Sequence, residues 1–188
     1  SWSADGRFIL YSTGTGTAGT GADIFMLPLS GDPSAGSLRG SGPAGQGRKP
    51  VPFIQAQFNQ FYGQISPDGR WVAYRSDESG TNEIYVAPYP GPGGKRQVST
   101  AGGTSPRWRR DGAEIFFLAL DNKLMTAEVN GKGAAFEVGV VKPLFETRAG
   151  VINYPYDVTA DGQRFLIIQP RIPLVFHHRM AKHQVVQQ

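Results

Sequence analysis

The chain has 188 residues, with 25 glycines, 14 prolines and no cysteine, yet 11% of it is aromatic. Glycine and proline at that level exclude a helical domain, the aromatic content excludes disorder, and the missing cysteines exclude a disulfide framework or a cysteine-based zinc site. A net charge of +4 is too mild for a nucleic-acid footprint, and no apolar run approaches the roughly 20 residues of a membrane helix.

The chain opens abruptly with SWSADGRFILYS, where Asp5-Gly6 precedes the apolar triplet Ile9-Leu10-Tyr11. Residues 14–19 spell G-x-G-x-x-G. A dinucleotide site needs that motif between a strand and a helix, with a carboxylate about 20 residues on. Here it joins two strands, so a flexible hairpin loop is expected. A strand follows over residues 23–29. Residues 30–49 are Gly-, Ser- and Pro-rich with almost nothing apolar, which predicts a long surface loop. Residues 51–54 close the unit as an outer strand.

The pattern is clearest over residues 64–90, QISPDGRWVAYRSDESGTNEIYVAPYP. Pro67 presets φ, Asp68 bonds its own backbone and Gly69 accepts a positive φ, so the three predict a tight turn. Trp71-Val72-Ala73-Tyr74 is then a short strand, residues 77–82 a polar loop, and Ile84-Tyr85-Val86 a second strand ended by Pro88 and Pro90. Residues 96–99 add another. Further strands are predicted at 106–109, 114–118, 123–129 and 142–145, with a hairpin at 119–122 and a turn at 130–133. Strands at 156–159 and 164–169 follow, and 171–176 offers one more. Residues 177–188 read as a frayed tail.

The unit repeats. Asp-Gly recurs at Asp5, Asp68, Asp111 and Asp161. Three residues before each aspartate stands an apolar group (Trp2, Ile65, Trp108, Val158), and four to six after it an apolar triplet. A period of roughly 40 to 50 residues built from short strands is that of a β-propeller blade. The expected fold is therefore all-β: a propeller segment of about three and a half four-stranded blades. Its expected parts are residues 1–54 (with the loop at 30–49), 55–99, 100–146 and a partial blade at 147–176. Closed propellers have about four to eight blades, so this count leaves bare apolar faces. A symmetric homodimer completing one ring resolves that, as does a small four-bladed ring finished by the chain's own N-terminal strand; the dimer is preferred because two-fold pairing is the commonest oligomer geometry. Ser1 already stands inside a repeat unit, which predicts a piece of a longer protein.

SPDGRWVAYRSDESGTNEIYVAPYPGPGGKRQVSTAGGTSPRWRRDG, residues 66–112, resembles the TolB-type, WD-like propeller repeats. More narrowly it is similar to the C-terminal propellers of bacterial membrane-anchored serine/threonine protein kinases, especially those of acidobacteria. The likeness covers residues 1–169 and is strongest over 64–118. It implies a non-catalytic interaction or sensor module lying periplasmic or extracytoplasmic, with the kinase domain outside this chain. No His-Arg-Asp catalytic loop or Asp-Phe-Gly is present. The ending RIPLVFHHRMAKHQVVQQ departs from the repeat.

The chemical candidates are few. The four aspartates read as turn caps, since no D-x-D-x-D-G calcium loop occurs. His177, His178 and His183 lie in the aberrant tail at no zinc-motif spacing, and no G-x-S-x-G elbow offers a hydrolase nucleophile. Arg107, Arg109 and Arg110 around Trp108 read as a solvated edge and not as a nucleic-acid surface. In propellers the axial channel is where ligands bind, a fold-level analogy. The channel candidates are Asn59, Tyr62, Gln64, Ser105, Arg107, Asn153, Tyr154 and Asp157. Gln64, Arg107 and Asp157 share one register, four before the repeat aspartate, and the alternative is that they satisfy backbone groups at the centre. No cofactor is expected for a binding module. The rival reading is a hydrolase of phosphoesters, esters or lactones assisted by a polar cluster or a divalent ion in the channel.

Overall fold

The computed structural model describes residues 1–14, 21–29, 49–91, 93–149 and 155–169, and the backbone of 175–178. These form four antiparallel sheets, with no helix among the described residues. The first holds β1 (Phe8–Ser12), β2 (Ile24–Pro28) and β3 (Val51–Ile54) in that order, and Trp2 adds a single bridge to Ile9. The second holds β4 (Gln60–Ile65), β5 (Trp71–Ser76), β6 (Glu83–Pro88) and β7 (Arg96–Gln97). The third holds β8 (Thr104–Trp108), β9 (Glu114–Leu118), β10 (Lys123–Asn130) and β11 (Glu137–Glu146). The fourth holds β12 (Tyr156–Val158), β13 (Arg164–Ile167) and β14 (Val175–His178).

The Asp-Gly turn is the same device four times. Each glycine lies at a φ of 69° to 73°, a left-handed conformation that favours glycine. Its N–H donates to the carbonyl three residues back, at 2.8–2.9 Å. The aspartate caps the turn by accepting the N–H two residues on: from Arg7, Arg70, Ala113 and Gln163 at 3.0–3.1 Å. Ser3, Ser66 and Thr159 donate a hydroxyl to the same carboxylates at 2.5–2.6 Å. In the third turn Arg109 replaces the hydroxyl with a two-pronged guanidinium contact at 2.6 and 2.7 Å. These bonds depress Asp5, Asp111 and Asp161. Asp5 is drawn down to about 2, chiefly by the Ser3 hydroxyl, and Asp111 to about 2, chiefly by Arg109.

Alternation along the second strand of each sheet builds the interfaces between sheets. Residues four and six after the repeat aspartate face the preceding sheet: Val72 and Tyr74 pack on Phe8 and Leu10, Ile115 and Phe117 on Trp71 and Ala73, Phe165 and Ile167 on Phe116 and Leu118. Residues three, five and seven after it face the next sheet. Three apolar clusters thus join first to second, second to third and third to fourth sheet; among the described residues none joins the fourth to the first.

Each interface also carries a polar staple to the first strand of its neighbour. The Ile65 N–H donates to Ser1 Oγ at 3.4 Å, the Trp108 indole N–H to the Gln64 carbonyl at 3.0 Å, and the Tyr156 hydroxyl to the Ser105 carbonyl at 2.9 Å. Asn59 is a fourth staple: its Oδ1 accepts the Ala22 N–H at 3.1 Å while its amide and backbone N–H donate to Asp77 at 2.6 and 2.8 Å.

Besides β4, which no foreseen strand covers, two elements differ from expectation. β11 runs ten residues, from Glu137, where only 142–145 were foreseen; as an outermost strand it mixes Gly139, Lys142 and two glutamates with its valines, which hides the strand pattern. β14 takes in His177 and His178, which were assigned to the tail. The expected loop over 30–49, the G-x-G-x-x-G stretch past Gly14, and His183 lie outside the described residues, residue 49 apart.

Candidate functional site

The channel candidates sit on or beside the first strands β4, β8 and β12. β4 lies against β1 and β8, and each of β4, β8 and β12 is an edge strand of its sheet. Tyr62 and Ser105 stand six residues before their repeat aspartates, and both adopt a left-handed φ, 59° and 54°. Each lies where the pairing register shifts, between Phe61 and Gln64 in β4 and between Thr104 and Arg107 in β8. Bulges of this kind re-aim side chains and backbone groups, and a left-handed non-glycine residue costs on the order of 1 kcal/mol or more. The neighbouring sheets hold them in place: Ser105 is buried, and its carbonyl takes the Tyr156 hydroxyl. Burial pushes the Tyr156 phenol far up, so it remains a donor.

At the register four before the aspartate, Arg107 and Asp157 meet. Arg107 Nε lies 3.6 Å from Asp157 Oδ1 across the third and fourth sheets, with the arginine side chain 16% exposed and the aspartate 73%. Gln64 is the next sheet round, and its carbonyl carries the Trp108 staple. Ser1 holds the same register in the first sheet. Its amine donates to the Leu10 carbonyl at 2.8 Å and is lowered by burial and then by the charge of Arg107. The Arg107–Asp157 pair is a half-buried guanidinium facing an exposed carboxylate.

The remaining candidates divide. Tyr62 joins Phe61 in flanking Arg75, whose guanidinium carbon lies 5.0 and 4.6 Å from the two ring centroids. The cation–π stack was not foreseen, because the bulge between Phe61 and Gln64 that permits it leaves no sequence signature. Asn59 is exposed, but its polar atoms serve the staple. Burial alone would raise Asp77, and the Asn59 donors hold it below its ordinary value. Asn153 and Tyr154 lie outside the described residues. Among the described residues no three histidine, aspartate or glutamate side chains gather as a metal site.

The larger cleft, about 410 Å³, lies elsewhere, between the second and third sheets near Gly93, Gly94 and Arg96. Trp71 and Phe136 at its base are buried on each other, with centroids 5.0 Å apart, and Lys95 at its rim pairs with Glu78. Its lining joins Trp71, Pro88, Ala134, Ala135 and Phe136 to Lys95 and Arg96, and none of the sequence-predicted channel residues reaches it.

Stacked antiparallel sheets punctuated by Asp-Gly turns define a propeller-type all-β fold, and solved TolB structures share it. The chain is similar to TolB of Acinetobacter baumannii, at 16% identity and a TM-score of 0.65, over 95% of this chain and 39% of that one. It is similar to a candidate TolB of Agrobacterium tumefaciens, at 18% identity and a TM-score of 0.51, over 74% of this chain and 47% of that one. A candidate 6-phosphogluconolactonase of Bacteroides uniformis shares the fold at 15% identity and a TM-score of 0.50, over 89% of this chain and 45% of that one. At these identities the likeness is one of fold, and the chain spans less than half the length of each of these structures. No protein-family model matches the chain, and no curated protein matches it.

Proposed function

We propose that the chain is part of a binding module without catalysis of its own, and that it takes a protein or small-molecule ligand at the rim formed by Gln64, Arg107 and Asp157. The Arg107–Asp157 contact supports this reading. The guanidinium is half-buried, while its carboxylate partner is solvent-facing at a loose 3.6 Å. A ligand carboxylate or phosphate can displace Asp157 and meet Arg107 through shorter, charge-assisted hydrogen bonds. In a longer polypeptide of the kinase type that the repeats resemble, such a module serves as the extracytoplasmic sensor.

Titration with acetate and with inorganic phosphate, followed through the Trp108 indole N–H resonance, tests the rim. Binding weaker than or near 1 mM is expected for such small ions. A saturable shift in the native chain that Arg107→Ala abolishes supports the reading; a flat response up to about 100 mM removes it. A hydrolase is the rival, in keeping with the lactonase-like fold neighbour. Turnover of chromogenic esters or phosphotriesters, lost with chelator or with Arg107→Ala, replaces the binding module by an enzyme.

A further inference from the structure

We propose that the cleft between the second and third sheets binds a small apolar carboxylic acid, with its hydrocarbon part against Pro88, Ala134 and Ala135 and its carboxylate at Arg96. This site is separate from the rim around Arg107. The two sheets that flank it are joined by the apolar cluster that includes Trp71, Val86, Val98, Ile115, Phe117 and Phe136, which gives the cleft a packed floor. Its volume of about 410 Å³ falls within the range of small-molecule pockets.

The walls are held at close quarters. On one side Gly93 lies so near Pro88 that a Cβ there would stand 2.4 Å from the proline Cγ. On the other, a Cβ on Gly131 would meet the Trp71 indole nitrogen at 2.6 Å, and the Gly131 carbonyl accepts that indole N–H at 3.0 Å. Arg70 donates from its two terminal nitrogens to the Lys132 and Gly133 carbonyls, at 3.1 and 2.9 Å. The segment leading to Ala134 and Ala135 is thereby tied to the start of β5. A wall fixed in this way spares a ligand the cost of ordering it.

Charge sets the class of ligand. Lys95 and Arg96 line the cleft, and Arg70 and Lys132 meet beside it. Lys95 pairs with Glu78, but among the described residues Arg70, Arg96 and Lys132 pair with no carboxylate. Glu137, next to Phe136, accepts from the Asn130 amide at 3.1 Å. A cationic edge above an apolar wall suits a molecule with one carboxylate and one hydrocarbon group. A neutral analogue forgoes the charge-assisted hydrogen bonds, and a small polar anion forgoes the apolar contact.

The test uses the full chain with phenylbutyrate as the probe, read on the assigned indole N–H resonances. Phenylbutyrate is expected to shift the Trp71 resonance saturably, with a Kd on the order of 1 mM. Phenylbutanamide, which lacks the charge, and acetate, which lacks the ring, are expected to bind at least about tenfold more weakly. Arg96→Gln and Ala135→Glu change exposed side chains, and each is expected to weaken phenylbutyrate about tenfold with circular dichroism unchanged. The rim is read separately, at Trp108, and the Trp71 response is expected to survive Arg107→Ala, so either site can fail without the other. A Trp71 resonance that stays still up to about 20 mM phenylbutyrate overturns the proposal. So does equal binding of phenylbutanamide, a response that Arg96→Gln leaves intact, or one that Arg107→Ala removes.

Discussion

Glu83 and Asp23 occupy equivalent places at the start of the third strand of the repeat, in the second and first sheets. Both are almost fully buried, at 1% and 2% exposure. Around Glu83 the donors are complete: the Ser99 hydroxyl bonds one carboxylate oxygen and the Gly102 N–H bonds the other at 2.8 Å, while the same hydroxyl accepts the Ile84 N–H. Around Asp23 they are not. Gln55, in the place of Ser99, reaches one oxygen at a long 3.4 Å, and among the described residues the other oxygen has no partner. The stretch from Gln55 to Gln60 is one residue longer than that from Ser99 to Gly103, and the acid is one methylene shorter. Gln60 fills the position of Gly103, is 1% exposed, and leaves both side-chain polar atoms without partners. The same repeat therefore holds a finished polar network in one sheet and an unfinished one in its neighbour, and buried polar groups stabilise only when the set is complete.

The largest expected effect comes from removing the finished network. Glu83→Ala should cost about 3 kcal/mol in urea unfolding, because it strands the Ser99 and Gly102 donors, while Asp23→Ala should cost less than about 1 kcal/mol. Equal losses would erase the distinction. Next, Gln60→Met, which keeps the shape and removes the unpartnered amide, should stabilise the chain by roughly 1 kcal/mol; a loss of that size would mean the amide is bonded in solution. The smallest effect belongs to the turn acids. Asp5 and Asp111 sit near 2, below the ordinary 3.8, so their contribution is present above the ordinary value and is lost as pH falls from about 4 towards 2. The thermal midpoint should drop across that window, and Asp111→Asn should lower the starting midpoint while flattening the drop. An unchanged slope in that variant would show that Arg109 does not grip the carboxylate in solution.

Much of this architecture was legible in the chain. Asp-Gly with matched apolar flanks located β1, β5, β9 and β13, one strand in each sheet, because both turn and alternation are local properties. What stayed hidden depends on partners distant in sequence. Asn59 looks like a channel residue until Asp77 and Ala22 are placed beside it. Tyr62 and Ser105 carry no mark of their left-handed backbone, since nothing in either side chain favours it and the adjoining sheets impose it. The shared register of Gln64, Arg107 and Asp157 could be counted from the aspartates, but the Arg107–Asp157 contact needed the stacking of two sheets.

The staples run in one sense. Trp108 and Tyr156 each reach back to a carbonyl on the sheet that precedes them in the chain. During synthesis from the N-terminus, every new sheet therefore meets a docking point that has already left the ribosome, and assembly can advance one blade at a time without waiting for the C-terminus.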